Sequence, residues 1–259
     1  MSNGRPKLSV CIVAMNEEDR IADCLRSVDF ADEWIVVDSH STDRTREVAE
    51  ELGARVIERD WPGHVQQKNF ALEEAQHDWA LCLDADERVS PELRSALLAV
   101  LGGDTLPDGF EFARRTWYLG RWIRHGGWYP DRKLRLVRRT KARWGGTNPH
   151  DHLEVSGRVV RLDGDLLHYS YRSLADHLRT INSFTTIAAR EKHARGRRAG
   201  LLDLVGRPFW KFLRMYFLKA GFLDGVAGFV VAVTGSFYVF LKYVKLLELT
   251  RHGAAGDEG

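Results

Sequence analysis

The sequence predicts an α/β fold, a doubly wound and mostly parallel sheet with a helical region attached at its end. Three observations carry this. Short apolar runs alternate with amphipathic stretches over residues 7–101, the pattern of repeated strand–helix units. Acidic and turn-forming residues gather where the apolar runs stop. Beyond residue 172 the chain turns basic and then apolar. A length of 259 residues suits one large domain, or one domain with an appendage. Hydrophobic content of 44% and charged content of 29% are those of an ordinary globular protein.

The elements follow in order. Leu8–Ala14 reads as the first strand and is too short and too closely followed by acids for a signal peptide. Asn16-Glu17-Glu18-Asp19 opens a helix, with acids in the first turn where the helix dipole favours them. Ile21, Cys24, Leu25 and Val28 form its apolar stripe. Trp34–Val37 is the second strand and runs into Asp38-Ser39-His40-Ser41-Thr42-Asp43. The next helix turns Val48, Ala49 and Leu52 inward and stops at Gly53. Ala54–Ile57 is a third strand, and Val65–Ala75 a helix carrying Gln67-Lys68-Asn69. Cys11 and Cys82 lie in apolar runs and Cys24 on an apolar stripe, so the cysteines read as reduced core residues of a cytoplasmic protein.

The fourth strand, Trp79–Leu83, ends in Asp84-Ala85-Asp86-Glu87. Ser90-Pro91-Glu92 then starts a helix, with Ser as cap and Pro at the first helical position. The acids therefore sit at the carboxyl end of a central strand, where open α/β sheets bind ligands. Paired carboxylates suit Mg²⁺ or Mn²⁺ shared with a diphosphate. A solvated acidic turn is the plainer alternative. Neither a Gly-x-Gly-x-x-Gly turn nor a Gly-x-x-x-x-Gly-Lys-Ser/Thr loop is present, so dinucleotide and P-loop binding are disfavoured.

Four blocks in order, Ser9–Glu18, Val36–Asp43, Gln67-Lys68-Asn69 and Leu83–Glu87, resemble the family-2 glycosyltransferases. Further blocks at Gly127–Asp131, Leu134–Arg139 and Leu166–Tyr171 are similar to the lipopolysaccharide-core glucosyltransferases within it. The resemblance implies a GT-A, Rossmann-like fold and inverting transfer from a nucleotide sugar, here a UDP-hexose such as UDP-glucose. It implies that Asn16, Glu17, Asp38, Ser39, Lys68, Asn69 and Asp84 bind the nucleotide sugar, and that Asp84, Asp86 and His168 hold the Mg²⁺ or Mn²⁺. A helix-turn acid at Glu17, a surface amide at Asn69, a plain turn at Asp38 and a core histidine at His168 are the structural alternatives.

Residues 103–171 read as the acceptor half. Arg114 to Arg143 contains eleven Lys/Arg and a single acid, Asp131, interleaved with Trp and Tyr. That fits an anionic glycolipid acceptor or lipid head groups, and no nucleic-acid fold signature accompanies it. Leu134–Arg138 alternates as a half-buried strand whose arginines face the open side. Inverting transfer needs one base. The resemblance puts a carboxylate after a His in this region, and Asp151 follows His150; Glu154 and His152 are the alternatives, and ordering of a polar loop the non-catalytic one.

Residues 172–252 read as a helical, membrane-associating region. Ser173–His193 fits a helix, Pro208–Lys219 mixes aromatics with Lys and Arg as interfacial helices do, and Gly225–Leu241 has seventeen uncharged residues. A spanning helix needs about twenty, so shallow association with the cytoplasmic face of the inner membrane is the expectation, over a buried helix or a span. Residues 253–259 read as a disordered tail. Rival functions are transfer to a polyprenyl phosphate and a non-catalytic nucleotide-sugar-binding or scaffold protein.

Overall fold

The computed structural model describes residues 5–103, 106–147 and 150–255. It falls into two compact units: the chain up to Arg115 with Asp131–His168, and Thr116–Pro130 with the chain from Tyr169 on. The division differs from the single cut expected near residue 171, because Thr116–Pro130 packs with the helical region.

In the first unit, β1 (Leu8–Ala14), β2 (Glu33–Asp38), β3 (Arg55–Glu58) and β4 (Trp79–Asp84) alternate with α1 (Ile21–Ser27), α2 (Thr45–Glu51) and α3 (His64–Glu73). These four strands are parallel, in the order β3-β2-β1-β4. Their registers level the carboxyl ends: Ala14 lies opposite Asp38, and Val13 opposite Asp84. Beyond β4 the sheet becomes antiparallel, through β8 (Asp131–Arg138) to β6 (Gly109–Tyr118). The path ends at β11 (Val159–His168) and the three-residue β5 (Glu87–Val89), and β7 (Arg121–Trp122) pairs with the end of β6. The sheet is thus mixed, parallel where the sequence alternates strand with helix and antiparallel after it.

Burial explains the elements. Leu8, Val10, Ile12, Leu81, Leu93, Leu97 and Leu101 are fully buried between strands and helices. Ser90 caps α4 (Pro91–Leu101), its hydroxyl accepting from the Leu93 amide at 3.2 Å. Cys11 lies opposite Cys82 on adjacent strands, and all three cysteines are free and buried, as read from their positions. Asp151 lies on a hairpin of β9 (Ala142–Thr147) and β10 (His150–Val155), not in the polar loop of the non-catalytic alternative. In that hairpin Gly145 lies opposite His152.

The second unit is helical. Ser173 caps α5 (Leu174–Ala194) by accepting from the Asp176 amide. Wide turns at Leu202–Gly206 and Arg214–Leu218 flank α6 (Arg207–Leu213). α7 (Gly225–Ala255) runs past Gly253, where a tail was expected to begin; residues 256–259 lie outside the described residues. The Lys245 ammonium donates to four oxygens of Asn182, Thr185 and Thr186, fastening α7 to α5. Asp224, 1% exposed, accepts from the Arg124 and His125 amides and so holds the Arg121–His125 loop to the start of α7. Gly221–Arg251 is long and apolar enough to cross a membrane, and only 33% of its most apolar stretch is buried.

Two outcomes follow for stability. Gly164 has φ +98°, and a Cβ there would run into the Leu93 backbone; Gly164→Ala is expected to cost about 1–3 kcal/mol in a denaturant titration. Burial pushes His177 down to about 4, so the folded protein refuses a proton that the unfolded chain accepts below about 6.5. Stability should therefore fall as pH drops from about 6.5 toward 4 and level off beneath that window. His177→Gln should flatten the fall between urea midpoints taken at about pH 7 and about pH 5.

Candidate active site

The first unit concentrates charge at the carboxyl end of β4. Glu87, fully buried at the start of β5, accepts from the Asp84 amide at 3.0 Å, Arg135 Nη2 at 2.8 Å and Arg114 Nη1 at 3.2 Å. Asp84 is pinned on both oxygens, by Lys68 Nζ at 2.8 Å and Arg135 Nη2 at 2.9 Å. Lys68 Nζ also lies 2.8 Å from Asp151 Oδ2, so one ammonium joins the strand-end acid to the β10 acid. The Trp144 ring faces Lys68 Nζ at 4.5 Å and Arg135 Cζ at 5.4 Å.

The electrostatics follow from this packing. Burial pushes the Asp84 carboxyl up, but Lys68 and Arg135 outweigh it and hold Asp84 well below the usual range. Burial pulls the Lys68 ammonium down, and Asp84 with Asp151 more than reverses that, so its pKa is raised. Arg135 is likewise raised by Glu87 and Asp84 against the cost of burial. All these groups are charged at neutral pH.

Asp86 belongs to a second branch. Its Oδ2 lies 3.3 Å from His168 Nε2 and 3.9 Å from Arg20 Nη1, and Arg20 also reaches Glu17 at 3.4 Å. Burial raises the Asp86 carboxyl, and His168 brings it to a net lowering. Of the three expected metal ligands the structure brings together Asp86 and His168, while Asp84 turns to Lys68 and Arg135. Among the described residues no group of three or more His, Cys, Asp or Glu is arranged to hold a metal. A carboxylate and an imidazole facing each other still fit as two protein ligands of a divalent cation that takes its other positions from diphosphate and water.

The nucleotide-side candidates occupy the ends of β1 and β2 and one face of α3. Asn16 has φ +56° and accepts from the Thr42 amide at 2.8 Å, while its own amide donates to Ser41 Oγ at 2.8 Å. The Glu17 amide donates to Thr45 Oγ1 at 2.8 Å. Asp38 is fully buried and both its oxygens accept from Ser41, so it shapes the loop after β2. Ser39 accepts from Gln67 at 3.1 Å. Asn69 uses both ends of its amide on the Trp144 backbone, at 2.9 and 2.8 Å, and so anchors the hairpin.

A cavity of about 250 Å³ opens over this network. Lys68, Arg114, Arg132, Lys133 and Arg135 line it, with Asp84 and Asp151 as its carboxylates. That excess of positive charge suits an anionic ligand. Sequence reasoning missed Arg135, Arg114, Glu87 and Trp144 as site residues. It aimed the β8 arginines at the open side, whereas Arg135 is 4% exposed inside the acidic cluster. The alternation of Leu134-Arg135-Leu136 held the signal: Arg135 faces opposite its apolar neighbours, and a buried Glu87 requires a cation.

Residues 9–150 match the family described as Glycosyl transferase family 2. The chain is 31% identical over 253 residues to the lipopolysaccharide core biosynthesis glycosyltransferase LpsC of Rhizobium meliloti (strain 1021), covering 93% of this chain and 92% of that one. It is 30% identical over 256 residues to an uncharacterized glycosyltransferase of Rickettsia typhi, covering 94% of this chain and 88% of the other. Among solved structures, the glucosyl-3-phosphoglycerate synthase of Mycobacterium tuberculosis in complex with Mn²⁺, UDP-glucose and phosphoglyceric acid is 27% identical, with a TM-score of 0.38 over 42% of this chain and 44% of that one. The match over the strand-end acids, and the relatives that span almost the whole chain, mean that the protein belongs to the family-2 glycosyltransferases and has their GT-A fold.

Proposed function

We propose that this chain is an inverting, metal-dependent hexosyltransferase acting from a UDP-sugar, UDP-glucose first among the candidates, on a lipid-linked glycan such as lipopolysaccharide inner core. The carrying observation is the Lys68 ammonium, 2.8 Å from both Asp84 and Asp151. It couples the acid at the donor end of β4 to the candidate base on the hairpin. Asp151 takes the proton of the acceptor hydroxyl as that oxygen attacks the anomeric carbon. The bond to the UDP oxygen breaks on the opposite face, and the configuration inverts. Lys68 and Arg135 bear on the negative charge that gathers on the departing diphosphate. A diphosphate also gives Lys68 a third anionic partner beside Asp84 and Asp151, which loosens its hold on Asp151 and frees that carboxylate to act. Mg²⁺ or Mn²⁺ held by Asp86 and His168 would add its own charge to the leaving group. Asn16, Glu17, Asp38 and Ser39 shape the rim for the uridine and ribose, and Asn69 keeps Trp144 beneath Lys68.

The acceptor class draws on the relative from Rhizobium meliloti, whose name assigns it to lipopolysaccharide core biosynthesis, and on the cation-lined cavity, which suits phosphorylated sugars. The apolar, incompletely covered Gly221–Arg251 stretch supports peripheral attachment to the cytoplasmic face of the inner membrane. The same five cations favour one second reading, transfer to a polyprenyl phosphate, whose ionised oxygen needs no base.

UDP release from a panel of UDP-sugars, with and without Mn²⁺ or Mg²⁺ and with a truncated core acceptor, tests these readings. Asp151→Asn is expected to lower kcat by about 10²–10⁴ while UDP still binds in calorimetry. Full activity in Asp151→Asn would reject the base and favour the phosphate acceptor. Asp86→Ala is expected to remove the metal-dependent part of the turnover; a metal response unchanged in that variant would sink the Asp86–His168 site.

A further inference from the structure

The helical unit holds a second cavity, of about 320 Å³, that shares no residue with the first. Lys211 from α6, and Arg214 and Lys219 from the turn after it, line one side. Trp128, His177 and Tyr238 line others, and no carboxylate is among the lining residues. Gly127 and Gly235 line it. A Cβ on Gly127, at φ +82°, would press on Lys219 at 3.0 Å, and one on Gly235 would meet Met215 Sδ at 2.7 Å. Burial pulls the Lys211 ammonium down, and Arg214 and Lys219 pull it further, with no acid acting against them. Three cations are therefore held against mutual repulsion around a space sized for a small ligand.

The surface of the same helices says what kind of ligand. On α7, Val226, Phe229, Val233, Phe237 and Phe240 are 40–79% exposed. Their spacing of three and four places them on one face, while Ala227 and Val231 are buried on another. Phe209 and Trp210 on α6 are also more than half exposed. A cationic cavity set in helices with a bare apolar stripe matches an amphiphile with an anionic head.

We propose that this cavity binds the phosphate of a membrane-lipid head group, with Lys211, Arg214 and Lys219 on its oxygens. The inference rests on the membrane-facing reading of the helical region and adds a defined head-group site to it. It differs from general attraction to a charged surface, because cations elsewhere on the unit would not substitute for these three.

Co-sedimentation of the full chain with phosphatidylcholine vesicles, with and without phosphatidic acid, tests it. The Lys211→Gln/Arg214→Gln/Lys219→Gln variant is compared with Arg195→Gln/Arg197→Gln/Arg198→Gln, which removes the same charge from exposed positions of the same unit. The cavity variant is expected to lose about tenfold or more of its affinity for acidic vesicles, and the control about threefold or less. Lys219→Gln alone, at an exposed position, should give a partial loss with the fold intact. Equal losses in the two triple variants, or none in the cavity variant, would overturn the site. Glycerol 3-phosphate separates the sources: tight binding of it by wild type, lost in the cavity variant and with no preference for acidic vesicles, would overturn the lipid assignment in favour of a soluble phosphate ester. Wild type that binds no vesicle and no glycerol 3-phosphate overturns the proposal and the membrane reading together, while UDP release reports separately on the transferase.

Discussion

Burying Glu87 at the end of the central strand is the constraint on which the site depends. A fully buried carboxylate must find cations and amide donors or lose its charge. Glu87 finds the Asp84 amide, Arg135 and Arg114. That requirement brings β8 and β6 alongside the β4–β5 connection and fixes Arg135 where it also reaches Asp84. Asp84 in turn holds Lys68, and Lys68 holds Asp151. Residues from β4, α3, β8 and β10 thus join one chain of charged side chains.

Such a chain is a preorganised polar environment. Lys68, Arg114 and Arg135 line the cavity. Lys68 and Arg135 each hold one oxygen of Asp84. Asp86, two residues on, faces a histidine instead. The two acids of a single Asp-x-Asp triplet therefore have different neighbours. Asp84 sits among the cations of the site, and Asp86 sits beside His168 and Arg20.

The helical unit answers a different constraint. Its helices bury a narrow stripe, fasten α5 to α7 through Lys245 and leave large apolar side chains bare. Its polar groups are treated differently. Asp224 and Lys245 are saturated with hydrogen bonds, whereas Lys211, Arg214 and Lys219 surround open space.

The four parallel strands, the Ser90 cap, the buried cysteines and the strand-end position of Asp84 were legible in the sequence, because each rests on local periodicity, capping chemistry or side-chain polarity. The blocks around Asn16, Asp38, Lys68 and Asp84 also pointed to the family. The β9–β10 hairpin was not legible, since its glycines and polar residues read as loop, and neither was the place of Thr116–Pro130 in the helical unit. Asn69 and Asp38 stood out as polar residues near strand ends and helices, but only the fold shows Asn69 bonded to the Trp144 backbone and Asp38 to Ser41. Local pattern determined which residues are apolar, which cap and which carry charge. Which charges meet was decided by tertiary structure, because Lys68, Asp84, Arg135 and Asp151 are far apart in the chain and only strand pairing brings their side chains within hydrogen-bond reach.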